Sequence, residues 1–137
     1  MAKMSRRTVP FTPFEGELKK SMVALVSNAG VHLKEGDPFD SEGDTSFRVL
    51  SGDVTGNQLM ITHPHYDHTD ADQDVNCVFP IDRLRELVQE GVVAGVSNKH
   101  IGLGYSMDLK AIYEVTALQV ADQIERSKAD LVVLTGG

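Results

Sequence analysis

The stretch Val23-Ala24-Leu25-Val26 contains no polar residue and is followed at once by a turn signal at Asn28 and Gly30. A strand with one face in water alternates apolar and polar side chains, because successive residues point to opposite faces. A run with no polar member suits a strand covered on both faces, the position of an inner strand in a layered α/β fold. A second run, Leu131 to Leu134, has the same character and leads into Thr135, Gly136 and Gly137.

Between these runs, Phe47–Ser51 and Gln58–Thr62 have strand character, with Gly52, Asp53, Gly56 and Asn57 as turn residues. Residues 32–46 form a polar loop. Pro80 opens a helix that Gly91 closes, and Ile81, Leu84, Leu87 and Val88 share one of its faces. Val92–Val96 is a further strand candidate, followed by a glycine-containing loop over residues 97–107. A long helix over 108–127, capped by Ser106 or Asp108, is expected to bury Leu109, Ile112, Ala117, Val120, Ala121 and Ile124. Strands alternating with helices after residue 58 predict an α/β fold, layered and Rossmann-like, with a mainly parallel sheet and flanking helices. Residues 1–20, with Pro10, Pro13 and Gly16, are expected to form an extended arm. Residues 21–137 are expected to form one domain, incomplete at its C-terminus.

The net charge of −7 argues against a nucleic-acid binder, which needs a basic footprint. Only Met1–Arg7 is locally basic. No apolar run approaches the roughly 20 residues of a membrane span, and no signal segment is visible, so a cytoplasmic location is expected. The single cysteine, Cys77, lies among apolar neighbours and is expected to be a buried structural thiol.

The segment ITHPHYDHTDADQD, residues 61–74, carries the densest chemistry. His63, His65, Asp67 and His68 have the HxHxDH spacing of the metallo-β-lactamase fold and are candidate metal ligands. That fold needs further ligands downstream, and His100 is the only later histidine. A metal-dependent hydrolase is therefore an alternative, as is a metal held in another fold. The reading that the residues alone favour is a hydrogen-bonded polar loop. The acidic residues Asp37, Asp40, Glu42 and Asp44 lack calcium-loop spacing, and GLGYS is too short to signal nucleotide binding.

Four stretches together, MVALVSNAGVHLKEGDPFD, GDTSFRV, HPHYDHTDADQDVNCVFPIDRLRELVQEGVV and ADLVVLTGG, resemble the selenoprotein B family. This family includes subunits of the glycine, sarcosine and betaine reductases and of D-proline reductase. The resemblance covers the chain from about Met22 onward. It implies an oxidoreductase subunit that cleaves a substrate C–N bond reductively. Its partners would be a pyruvoyl-containing subunit and a thiol or redox protein as reductant, with a homo-oligomer possible. No cofactor is implied in this chain itself, and a metal is not favoured. In the family, a strand like ADLVVLT runs into a turn bearing the catalytic selenocysteine or cysteine. The chain is thus expected to be truncated just before its nucleophile, with UGA as the codon after Gly137, and to be inactive alone. A non-catalytic binding or scaffold domain is a further alternative. Asn28, Gly30, His32, His63, His65, Asp67, His68, Thr135, Gly136 and Gly137 are the candidates to line the substrate crevice. Parallel strands ending at Val26, Ile61, Val96 and Leu134 would bring them to one edge of the sheet.

Overall fold

The computed structural model describes residues 12–137. Most of the expected N-terminal arm, residues 1–11, lies outside the described residues. Residues 12–20 are exposed and hold one 3-10 turn, Leu18–Lys20.

The protein is a mixed α/β structure built on strand β1, Met22–Ser27. Strand β7, Leu131–Thr135, runs parallel to β1 along one edge, in register from Val23 opposite Leu131 to Ser27 opposite Thr135. A strand has two edges, so β5 (Gly95–Val96) and β6 (Lys99–Leu103) share the other one. Val23 pairs with Val96 and Val26 with Ile101, both in parallel. The β5–β6 segment therefore uses two residues more than β1 over the same span, which is a bulged edge. Strand β3, Phe47–Ser51, closes this side antiparallel to β6. The sheet is mixed, with its parallel pairings gathered around β1.

The two faces of this sheet differ, as the period of two requires. On one face lies a separate antiparallel ribbon, β2 (Val31–Leu33) with β4 (Leu59–Ile61). The short helix α1 (Thr69–Gln73), helix α2 (Ile81–Gln89) and Phe79 join it there. The core of fully enclosed side chains, Leu25, Leu50, Phe79 and Ile81, forms on this side. The other face carries the long helix. It begins as α3, Leu109–Ala111, widens to a π-turn at Ile112–Thr116 closed by the Ala117 N–H on the Ile112 carbonyl, and continues as α4, Ala117–Ser127. Asp108 caps it by accepting from the Ala111 N–H at 2.9 Å.

Several expectations are corrected. Leu59–Ile61 does not join the parallel sheet. Its pattern is buried-exposed-buried, which suits a one-sided antiparallel ribbon, and its partner β2 falls in what had the composition of a loop. Lys99–Leu103 is a strand, disguised by Lys99, His100 and Gly102. Gly102 is required there, because a Cβ would stand 2.0 Å from the Val31 carbonyl oxygen where the ribbon crosses the sheet. The Val92–Val96 strand shrinks to Gly95–Val96. Cys77 is exposed, since it sits on a 3-10 turn (Val75–Cys77) that buries Val75 instead.

The helix stripe is not buried either. Leu109 is 67 % exposed, while Ile112, Val120 and Ile124 line an apolar groove of about 430 Å³ with Val26, Val132 and Leu134. The helix covers β6 and leaves β7 open, so Leu134 is 75 % exposed. Thr116 is the point at which the helix is tied down. It is buried, and its Oγ1 donates to the Thr45 carbonyl at 2.6 Å. Thr116→Val keeps the shape and orphans that carbonyl, so it is expected to lower stability by about 1–2 kcal/mol in urea denaturation. An unchanged midpoint would show that the helix is held by other contacts.

Candidate functional site at the carboxyl edge of the sheet

Strands β1, β6 and β7 end at the same edge, and three backbone links draw their following turns together. The Asn28 N–H donates to the Thr135 carbonyl at 3.2 Å, the Gly30 N–H to the Leu103 carbonyl at 2.9 Å, and the Thr62 N–H to the Gly30 carbonyl at 2.9 Å. The last link brings in the loop after β4. Gly30 has φ +79°, a left-handed conformation that favours glycine. A Cβ there would also meet the Thr62 carbonyl oxygen at 2.2 Å and His63 Cβ at 2.9 Å. This glycine seats the root of the histidine loop on the sheet.

The glycine pair closes the same edge. A Cβ on Gly136 would lie 3.2 Å from Asn28 Oδ1, and one on Gly137 would collide with the Tyr66 ring, 2.4 Å from Cε1. Thr135 Oγ1 and Ser27 Oγ both donate to the Val78 carbonyl, at 2.6 and 3.0 Å, which fixes the ends of β7 and β1 relative to each other. The edge that gathers these groups is the one after Leu103, not after Val96, because β5 stops opposite Val23 near the start of β1.

Histidines and tyrosines alternate across the site. Tyr105 packs against His65 at 3.9 Å between ring centroids, tilted by 43°, and meets His63 edge-on at 5.6 Å. Tyr66 lies between His63, at 4.8 Å, and His68, at 5.4 Å. His63 Nδ1 accepts the His65 backbone N–H at 3.2 Å, so the neutral ring carries its proton on Nε2. Burial holds His63 below the ordinary histidine value, and the positive charge that His65 and His68 can carry adds to the effect. His68 Nδ1 pairs with Asp72 Oδ2 at 2.8 Å, one helical turn on. His63, Tyr105, Asn28, Asp44 and Thr45 line a cavity of about 350 Å³ whose floor is Leu103, Leu109 and Ile112.

Two expected site residues have structural partners instead. His32 is buried in β2, with Nδ1 on the Leu33 carbonyl and Nε2 on Thr62 Oγ1, both at 2.8 Å. Asp67 accepts from the Thr69 hydroxyl and N–H at the start of α1, and the Thr69 hydroxyl is the main reason its carboxyl lies below the ordinary range. His63, His65, Asp67 and His68 thus face different partners. Among the described residues, no three His, Cys, Asp or Glu side chains come together as a metal site. The residues that sequence reasoning passed over are Tyr66, Asp72 and Tyr105. The visible signal for the two tyrosines was an aromatic side chain in a loop, and for Asp72 its spacing of four residues after His68.

The chain matches the family described as glycine/sarcosine/betaine reductase selenoprotein B over residues 2–137. It is 42% identical over 128 residues to the D-proline reductase subunit gamma of Acetoanaerobium sticklandii, covering 93% of this chain and 53% of that protein. It is 29% identical over 136 residues to the glycine reductase complex component B subunit gamma of Symbiobacterium thermophilum, covering 93% and 31%. It is 30% identical over 96 residues to the sarcosine reductase complex component B subunit beta of Peptoclostridium acidaminophilum, covering 66% and 22%. The chain therefore spans about half the length of the first of these relatives and less than a third of the others. No solved structure matches it. Among the described residues, no helix is long and apolar enough to cross a membrane.

Proposed function

Because the chain belongs to the glycine/sarcosine/betaine reductase selenoprotein B family, we propose that it is part of a selenocysteine- or cysteine-dependent amino-acid reductase. Such an enzyme cleaves the C–N bond of a glycine-, betaine-, sarcosine- or D-proline-type substrate. The observation that carries the reading is the family match over residues 2–137, joined to 42% identity with a D-proline reductase subunit. That identity makes a cyclic D-proline-type amine the first substrate to test. The gathering of Asn28, His63, Tyr105 and Gly136 at the carboxyl edge of parallel strands supports it, since that edge is where open α/β sheets bind ligands.

In the assembled enzyme, a pyruvoyl group on a partner subunit would supply activation of the substrate amine, and a thiol or redox protein the two electrons. The nucleophile would adjoin Gly137 in the longer protein, beyond these 137 residues. The present residues then have definite tasks. Gly136 and Gly137 leave the backbone open to a small substrate. His63, with Nδ1 taken, offers an Nε2–H donor suited to a carboxylate. His68, oriented by Asp72, can pass a proton to the leaving amine. The further half of a chain as long as the D-proline reductase relative would complete a Rossmann-like layering around the domain that starts near residue 21. A cytoplasmic, homo-oligomeric protein fits this role.

Full-length protein assembled with its partners and supplied with a dithiol is expected to consume D-proline or one of the other three substrates. The 137-residue chain alone is expected to consume none, and the coding sequence past Gly137 is expected to continue in frame through a UGA or cysteine codon. Turnover by the 137-residue chain, lost in Cys77→Ser, would overturn the reading. So would a complete complex that leaves all four substrates intact.

A further inference from the structure

We propose that Tyr66 is a positioning residue, which locks the histidine loop against the Gly136–Gly137 backbone and so presents His63 and His68 to that edge. The inference deepens the proposed reductase reading, which supplies the reaction; the locking itself rests on geometry. Three contacts meet in this one side chain. Its ring separates His63 from His68, with centroids 4.8 and 5.4 Å away and interplanar angles of 62° and 60°. Its hydroxyl donates to the Ala29 carbonyl at 2.9 Å. Its face covers Gly137 so closely that a Cβ would stand 2.4 Å from Cε1 and 2.5 Å from Cζ.

The hydroxyl contact makes the third contact rigid. An unanchored ring would swing away from any side chain added at Gly137. Ala29 is fully buried in the turn two residues after the end of β1, so the phenol is tied to the turn that leaves the most enclosed strand of the sheet. Burial pushes the Tyr66 phenol up to about 12, and the Asp72 charge adds to this, so the hydroxyl stays a donor at every ordinary pH. Apart from the Tyr105 ring against His63 and His65, the segment from His63 to His68 is held at its two ends, by Gly30 at Thr62 and by the start of α1. Tyr66 is the mid-loop tie. A tyrosine that only filled space would pack on the core without needing its partner at residue 137 to be glycine.

The test uses the full-length protein, with histidine ring protons followed by NMR in wild type, Tyr66→Phe, Tyr66→Leu, Gly137→Ala and the Tyr66→Leu/Gly137→Ala double variant. Tyr66→Leu is expected to shift the His63 and His68 resonances and to move the His63 midpoint up toward the ordinary histidine value. Tyr66→Phe, which keeps the ring and loses the Ala29 anchor, is expected to shift the same resonances by a smaller amount. Gly137→Ala is expected to disturb the same resonances in wild type and to leave them undisturbed in the Tyr66→Leu background. In the assembled reductase, Tyr66→Leu is expected to lower kcat roughly 10- to 100-fold with KM little changed. Equal perturbation by Gly137→Ala in both backgrounds, or unmoved histidines in Tyr66→Leu, overturns the positioning role whatever the activity. Coupled resonances with undiminished kcat leave the lock standing and overturn the reductase reading of this edge.

Discussion

Gly102→Ala is expected to cost about 3 kcal/mol or more, a large fraction of the roughly 5–15 kcal/mol that holds a domain folded. The added methyl would stand 2.0 Å from the Val31 carbonyl oxygen and 3.1 Å from its carbon. The obstacle is backbone, so no side-chain rotation relieves it. Val31 is fully buried and pairs with Ile61, and the loop after Ile61 is the one that carries the histidines. Displacing β2 therefore drags the whole ribbon. Urea denaturation read by far-UV circular dichroism measures the loss. A variant within about 0.5 kcal/mol of wild type would mean that the ribbon does not sit on the sheet at this point.

The second large effect is an acid limb in the stability curve. His100 is fully buried on β6, and its Nδ1 accepts the Leu25 backbone N–H at 2.9 Å, so the neutral ring carries its proton on a buried Nε2 without a hydrogen-bond partner. Burial, aided by the Arg85 charge, lowers its pKa from 6.5 to about 4. The folded state binds this proton less readily than the unfolded chain does. Stability from this group is therefore complete above about pH 6.5 and is lost as pH falls toward 4. The loss amounts to roughly 3 kcal/mol at 1.36 kcal/mol per unit. Unfolding free energies measured between pH 7 and pH 4 should show this slope. His100→Gln, which cannot take up the proton, should be less stable at pH 7 and flatter below it. A wild-type curve that is flat over the same interval would show that His100 is solvated.

His100 also marks what the sequence could convey. The segment from Lys99 to Leu103 carries a lysine, a histidine and a glycine, so its period is unreadable, and nothing local announces that Gly102 is there for a neighbour's backbone. Continuous apolar runs were informative because they state a requirement for cover on both faces. Met22–Ser27 met that requirement as the central strand, whereas Leu131–Thr135 became an edge strand with one side open. Helix α2 was legible because Pro80, Gly91 and the Ile81/Leu84 spacing all agree. In the site, the histidines were visible as residue types. Their division of labour was not, because it depends on which backbone or carboxylate each ring meets: Leu33 and Thr62 for His32, the His65 N–H for His63, Asp72 for His68. Tyr105 reaches the site from a loop 40 residues downstream of His65, a pairing that only the fold brings about.

The π-turn at Ile112–Thr116 sets the phase of everything after it. It holds one residue more than an α-helix would use, and Ile112 and Thr116 at its two ends border both the polar cavity and the apolar groove. Removing any one residue between them would let the helix wind uniformly, and each later side chain would keep its direction, because the turn spends one extra residue on a single winding. Val120 and Ile124 would stay in the groove, and the strand entering at Leu131 would stay in register with Val23. A one-residue deletion within Ala117–Ser127, where no spare residue exists, would instead turn every later side chain of the helix by about 100°. A single deletion at this turn should therefore be tolerated far more readily than one in the regular helix that follows.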